Sequence, residues 1–245
     1  MFENFPKTRP PLPEEIERIY ATHYASNRKG ETAAASLSQR MESWLHHQVS
    51  SDVKNTDSVD KTTLELGAGT LNQLQYEPNV QSYDIVEPFA DLFKDSPLLA
   101  RVNNVYADIA EVPASARYDR ITSVAVLEHI CDLPDVIATC GLMLSENGVL
   151  RSSIPSEGTL LWTLGWKLTT GLEFRLKHGL DYGLLMKHEH VNTAKEIEQV
   201  LNYFFKDVKC KVFGLSKAWS LYQYYECRNP IVERCQQYSK HRPHQ

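Results

Sequence analysis

The chain contains no run of 18 apolar residues, so no helix that spans a bilayer is expected. Its first residues, Met1-Phe2-Glu3-Asn4-Phe5-Pro6-Lys7, carry no basic segment followed by an apolar one, and no secretory signal is expected. No C-x-x-C pair occurs. The five cysteines at 131, 140, 210, 227 and 235 are odd in number, which argues for a reducing, cytoplasmic setting. Basic charge is scarce: 26 Lys and Arg against 31 Asp and Glu leave −5, the wrong sign for gripping phosphate backbones. Nucleic acid is therefore not expected as a partner. Internal repeats and low-complexity tracts are absent as well. What remains, 42% hydrophobic and 23% charged over 245 residues, suffices for one globular α/β domain with additions.

What the chain does have is Thr62-Thr63-Leu64-Glu65-Leu66-Gly67-Ala68-Gly69-Thr70, an apolar strand entering a glycine-bent turn. Gly67 and Gly69 let the backbone turn sharply and lie close to a ligand. Eighteen residues past Gly69 the strand Tyr83-Asp84-Ile85-Val86 stops on Glu87, an acid placed to grip both hydroxyls of a ribose. The strand Asn104-Val105-Tyr106-Ala107 stops on Asp108, which suits an adenine amino group. Glu65, inside the first strand, needs donors once buried and is read as an organiser of the glycine turn. This row describes a nucleoside pocket at the carboxyl edge of a parallel sheet. A nicotinamide dinucleotide site wants a third glycine five places after the first, where Asn72 stands. Adenosine without a pyrophosphate fits better.

Residues 1–60 are expected as a helical cap and linker, with a helix from Glu14, a second over Ala33–Val49, and a polar linker over 50–61. Residues 61–155 form the core: strands at 62–66, 83–86, 104–107, 120–126 and 149–154, helices from near 70, over 88–94 and over 134–144, and a turn at 145–148. Strands alternating with helices imply a parallel sheet with right-handed crossovers. Residues 156–192 form a helical insertion whose Trp162, Trp166, Phe174 and Tyr182 suit a sugar or ring face, with Lys167, Arg175 and Lys177 available to a phosphate. Residues 193–228 complete the sheet with a helix and a pair of strands at 208–215 and 221–227. Residues 229–245 are expected as an exposed tail.

Glu65-Leu-Gly-Ala-Gly-Thr70, Glu87-Pro88, Asp108-Ile109 and Leu127-Glu128-His129-Ile130 are similar to the successive motifs of class I S-adenosylmethionine-dependent methyltransferases, in particular the small-molecule group with a Leu-Glu-His signature. The resemblance covers roughly residues 60 to 155, with Leu71 where that family often has a third glycine. It implies a Rossmann-like, doubly wound, mostly parallel seven-stranded sheet and S-adenosyl-L-methionine as cofactor. Glu65, Gly67, Ala68 and Gly69 would then serve the methionine end, Glu87 and Pro88 the ribose, Asp108 and Ile109 the adenine, with Val126 and Leu127 lining the pocket. The N-terminal helix, with Tyr20, His23, Tyr24 and Arg28 along it, would be a lid, and Tyr24 a cofactor contact. His129, after the fourth strand, is the first candidate base for a hydroxyl acceptor, and His190 the second; loop anchoring is the structural alternative for both. Glu128, His129, His188, Glu189 and His190 can be drawn as a metal cluster, but their spacing matches no strong metal signature, so no metal is expected. The acceptor is expected to be a small molecule, methylated at oxygen: a sugar, nucleotide-linked or phosphorylated metabolite, as in surface-polysaccharide biosynthesis. Two alternatives stay open: a nicotinamide-dependent reductase, and a cofactor-binding partner subunit without catalysis. Oligomeric state is not readable.

Overall fold

The computed structural model of the chain describes residues 2–19, 35–54, 61–77 and 82–240. Among them, seven strands form one sheet: β1 (Thr62–Leu66), β2 (Ser82–Val86), β3 (Asn104–Tyr106), β4 (Tyr118–Val124), β5 (Leu144–Pro155), β6 (Phe205–Gly214) and β7 (Ser220–Pro230). Their order is β3-β2-β1-β4-β5-β7-β6. The pairings among β1 to β5 are parallel, and β7 enters antiparallel between β5 and β6. The expected Rossmann-like, mostly parallel seven-stranded sheet is the fold.

The two faces of the sheet differ in chemistry. Leu64, Leu66, Ile121, Leu150 and Ile154 point to one face and build the main core with α2 (Leu133–Met143) and α6 (Ala194–Phe204). In α6, Ile197, Val200, Leu201 and Phe204 recur at helical spacing and are buried, while Thr193 and Glu196 close a capping box at its start. The opposite face carries Thr63, Glu65, Arg120, Thr122, Arg151 and Ser153, all buried, beneath α1 (Ala35–Val49). Such groups stay inside only when paired. Arg120 donates to both Glu77 oxygens at 2.9 Å, to Asp52 at 2.9 Å and to Thr63 at 3.0 Å. Arg151 donates to Glu226 at 2.7 Å and to the Val49 and Gln48 carbonyls that end α1. Burial alone would lower the Arg120 pKa, but the hydrogen bonds and charge of Glu77, with Asp52 behind it, raise it overall.

Several expected elements differ. The connections after β1 and β2 hold short 3-10 turns, Asn72–Tyr76, Ala90–Leu92 and Pro97–Arg101, where helices near 70 and over 88–94 were expected. Nucleating an α-helix is costly, and segments this short, one of them opened by Pro97, do not repay it. The expected turn at 145–148 lies inside β5, at a shift in register against β4. Of the expected linker, Ser50–Asp52 is a 3-10 turn with Ser50 and Val53 buried, because Asp52 is held by Arg120 and Arg151. Residues 55–60 lie outside the described residues. The expected tail is in part a helix, α7 (Val232–Tyr238), whose Cys235 is fully buried. It packs where Gly141 offers no side chain: a Cβ there would stand 2.7 Å from Cys235 Sγ. The insertion is three short helices, α3 (Leu160–Leu168), α4 (Thr170–His178) and α5 (Tyr182–Glu189). Residues 14–19 are helical as expected. Among the described residues no helix is long and apolar enough to cross a membrane.

Candidate active site

The strand order sets Asp108, Glu87, the 67–69 turn and residues 126–129 side by side along the carboxyl edge of the sheet. Gly67 has φ +64°, and a Cβ there would meet Val126 Cγ2 at 2.5 Å, so only glycine fits. Its N–H donates to the Val86 carbonyl at 2.8 Å. Gly69, at φ +53°, donates its N–H to Glu87 Oε2 at 2.8 Å, and Phe89 donates to Oε1 at 3.0 Å. Glu87, only 6% exposed, therefore ties the glycine turn to the end of β2. Each carboxylate oxygen retains lone-pair capacity beyond that one bond. Leu71, where a glycine would ease the turn, adopts φ +66° and buries its side chain with Leu74, Tyr83, Ile85 and Phe93. Left-handed strain of about 1–2 kcal/mol is thus offset by apolar burial.

The remaining expected donor-side residues divide. Ala68, Ile109 and Leu127 are buried, and Val126 packs on Gly67. Pro88 is exposed. Asp108 is exposed too, and its Oδ1 accepts from the Ala110 N–H at 2.8 Å, capping the 109–111 turn. Glu65 takes its hydrogen bond from Tyr83 Oη at 2.7 Å, on the neighbouring strand rather than the glycine turn. Burial pushes its carboxyl up to about 8, against the lowering effect of that bond. Tyr24, with Tyr20, His23 and Arg28, lies outside the described residues.

At the other end, His129 and His190 come together, their rings 4.9 Å apart. His129 Nδ1 donates to the Glu189 carbonyl at 2.8 Å, and His190 Nδ1 donates to Glu157 Oε2 at 2.7 Å. Each partner accepts only, which fixes the proton on Nδ1 and leaves the Nε2 lone pair of the neutral ring available. Glu157 also accepts from Trp162 Nε1 at 2.7 Å. Burial would raise its pKa, but the His190 and Trp162 bonds hold it below the ordinary carboxylate value. Glu128 is 1% exposed, and its Oε2 is buried without a hydrogen-bond partner. Burial pushes it up to about 7, with His129 opposing.

Long-range bonds hold this arrangement. Asn192, fully buried, donates to the Leu127 and Ile130 carbonyls at 2.9 and 2.7 Å, moulding the turn that carries Glu128 and His129. Arg9 donates to the His129 and His188 carbonyls, both at 2.9 Å, strapping the N-terminal segment across both loops. Sequence reasoning missed Glu157 and Arg9. The rule that singled out Glu87 and Asp108, an acid after a strand, applies equally to Glu157 after β5. Arg9 had no local signal. Of the four insertion aromatics, Trp162 stacks on His190, whereas Phe174 and Trp166 pack on Tyr182 inside the insertion. Lys167, Arg175 and Lys177 are exposed.

No family model matches the chain. No curated protein matches its sequence. Solved structures do match its fold. The plantazolicin methyltransferase BpumL in complex with SAH is 13% identical, with 88% of this chain and 91% of that one covered at a TM-score of 0.56. The N-methyltransferase NodS from Bradyrhizobium japonicum WM9, in complex with S-adenosyl-L-homocysteine, is 14% identical, with 85% and 98% covered at 0.55. The CurJ carbon methyltransferase is twice the matched length: 71% of this chain covers 50% of it, at 21% identity and a TM-score of 0.48. The chain shares its fold with methyltransferases.

Proposed function

We propose that the chain is an S-adenosylmethionine-dependent methyltransferase acting on a small-molecule acceptor at oxygen. The observation that carries this reading is the Gly69 N–H on Glu87 Oε2 at 2.8 Å, which joins the glycine turn and the acid at adjacent strand ends. A cofactor whose ribose lies on Glu87 and whose methionine end follows residues 67–69 would point its methyl toward Val126–His129. The likeness of fold to BpumL and NodS, both in complexes with the demethylated cofactor product, supports the same donor. Asp108 and Ile109 serve the adenine, and Pro88, Ala68, Val126 and Leu127 complete the donor side.

Methyl transfer from a sulfonium is an in-line displacement with a neutral leaving group, so the protein's main work is to hold acceptor and methyl about 3 Å apart away from water. A hydroxyl acceptor must also lose its proton, and His129 and His190 stand where that proton would leave. Trp162, stacked on His190, offers a ring face to a sugar or nucleotide-linked acceptor. The setting is cytoplasmic, and nucleic acid is not a partner.

The test is a thermal-shift titration of wild type and Glu87→Ala with S-adenosylmethionine, S-adenosylhomocysteine, NADH and NADPH. At about 100 times Kd, binding stabilises by about 2.7 kcal/mol, or roughly 5–10 °C. A shift with the adenosyl ligands alone, lost in Glu87→Ala, is expected. A shift with the nicotinamide ligands instead overturns the reading.

A further inference from the structure

We propose that Glu128, His129 and His190 bind one divalent transition-metal cation beside the end of β4. A ligand atom from each of the three lies within 4.8 Å of the other two. Glu128 Oε1 and His129 Nε2 already stand 3.7 Å apart. Donors about 2.1 Å from a common ion stand roughly 3 Å apart, so closing the site takes side-chain rotations of ~1–2 Å.

Two further observations point to a cation. The first is the way the histidines are held. Nδ1 of His129 is bound to a backbone carbonyl and Nδ1 of His190 to a carboxylate, each at hydrogen-bond distance. Metal-bound imidazoles are oriented by such bonds, which fix the tautomer and direct the other nitrogen to the ion. The second is Glu128. Its Oε2 lies buried with no hydrogen-bond partner, whereas the fully buried carboxylate of Glu77 is met on both oxygens by Arg120. A cation between Oε1 and the imidazoles, reached by Oε2 on rotation of the carboxylate, supplies the missing partner. Two imidazoles and one carboxylate suit zinc, cobalt, iron or manganese better than magnesium or calcium, which favour oxygen donors. Three protein ligands leave coordination positions open.

The role of the ion rests on the methyl-transfer reading; its binding does not. An acceptor hydroxyl at an open position would lose its proton to bulk water more readily than when free. The O–CH3 bond would form as the S–CH3 bond breaks, leaving a neutral thioether. The histidines would then act through the ion rather than by taking the proton themselves.

The test is calorimetric titration of the metal-stripped, tag-free protein with ZnCl2 and CoCl2, with the visible spectrum of the cobalt form recorded alongside. One cation per chain is expected, with ligand-field absorption from cobalt. Glu128→Gln and His190→Ala are expected to weaken binding at least about 100-fold, and Glu157→Gln, which only orients His190, by about 10–100-fold. Far-UV circular dichroism checks that the variants fold, and His190→Gln replaces His190→Ala if that variant does not. Absence of saturable binding in the wild type overturns the proposal. So does wild-type affinity retained in folded Glu128→Gln and His190→Ala. Cation binding without any adenosyl shift upholds the site and overturns the methyltransferase reading; an adenosyl shift without cation binding does the reverse.

Discussion

Two buried clusters of charge sit at opposite ends of β4, and they are built to different ends. Near its start, Arg120 and Arg151 meet Glu77, Asp52 and Glu226; Glu77 is gripped on both oxygens, and the α1 carbonyls take further donors. Past its end, Glu128, His129, His190 and Glu157 gather with one carboxylate oxygen left over and two imidazole nitrogens free to bind. The first cluster pairs opposite charges and fastens α1 to the polar face of the sheet. The second leaves capacity unspent, past the carboxyl ends of β4 and β5. Burial costs the same kind of energy in both places. Where each carboxylate faces an arginine, the cluster holds the fold; where Glu128 faces none, it is prepared for something that binds.

The largest effect should come from breaking the first cluster. Arg120→Met strands Glu77 in the interior and is expected to cost about 3–5 kcal/mol in urea unfolding. The matching change in the second cluster, Glu128→Gln in cation-free protein, removes an unanswered charge and should alter stability by less than about 1 kcal/mol. Equal losses at both sites would erase the distinction between them.

Next comes activity. His129→Ala is expected to lower turnover by about 10²–10⁴-fold while the adenosyl thermal shift persists. Turnover within about threefold of wild type would remove His129 from the chemistry.

A smaller effect tests Glu65, which belongs to neither cluster. Its folded pKa of about 8 lies above its ordinary value near 4.5, so between these limits the folded chain holds more protons than the unfolded one. Stability should therefore fall as pH rises through that window, by up to about 1.4 kcal/mol per unit. Glu65→Gln should flatten the slope between pH 5.5 and 7.5, and an unchanged slope would assign it to other groups. Smallest is Trp162→Phe, which deletes one hydrogen bond to Glu157 and should cost about 1–2 kcal/mol, read as a small drop in melting temperature.

The glycine turn and its tie to Glu87 were legible because their signals are local. Gly67 and Gly69 take left-handed φ values that a tight turn demands, and Glu87 follows its strand directly, so spacing along the chain nearly equals spacing in space. The short 3-10 turns after β1 and β2 were not legible, since apolar residues there suit either a helix or a compact turn. The cluster around His129 and His190 was least legible. Trp162 was visible as an aromatic but not its place on His190, and Arg9 reaches across the chain from a proline-rich segment that carries no pattern at all.

The sequence by itself determined the alternation of strands and crossovers, the glycine turn and the acids that end β2 and β3, because each depends on neighbours a few residues away. Only the tertiary structure decided that His190 lies against His129, that Glu157 orients it, and that Glu128 keeps a buried oxygen without a partner. Hydrogen bonding and metal ligation act over about 2–3 Å, and no spacing along a chain fixes which distant loops come that close.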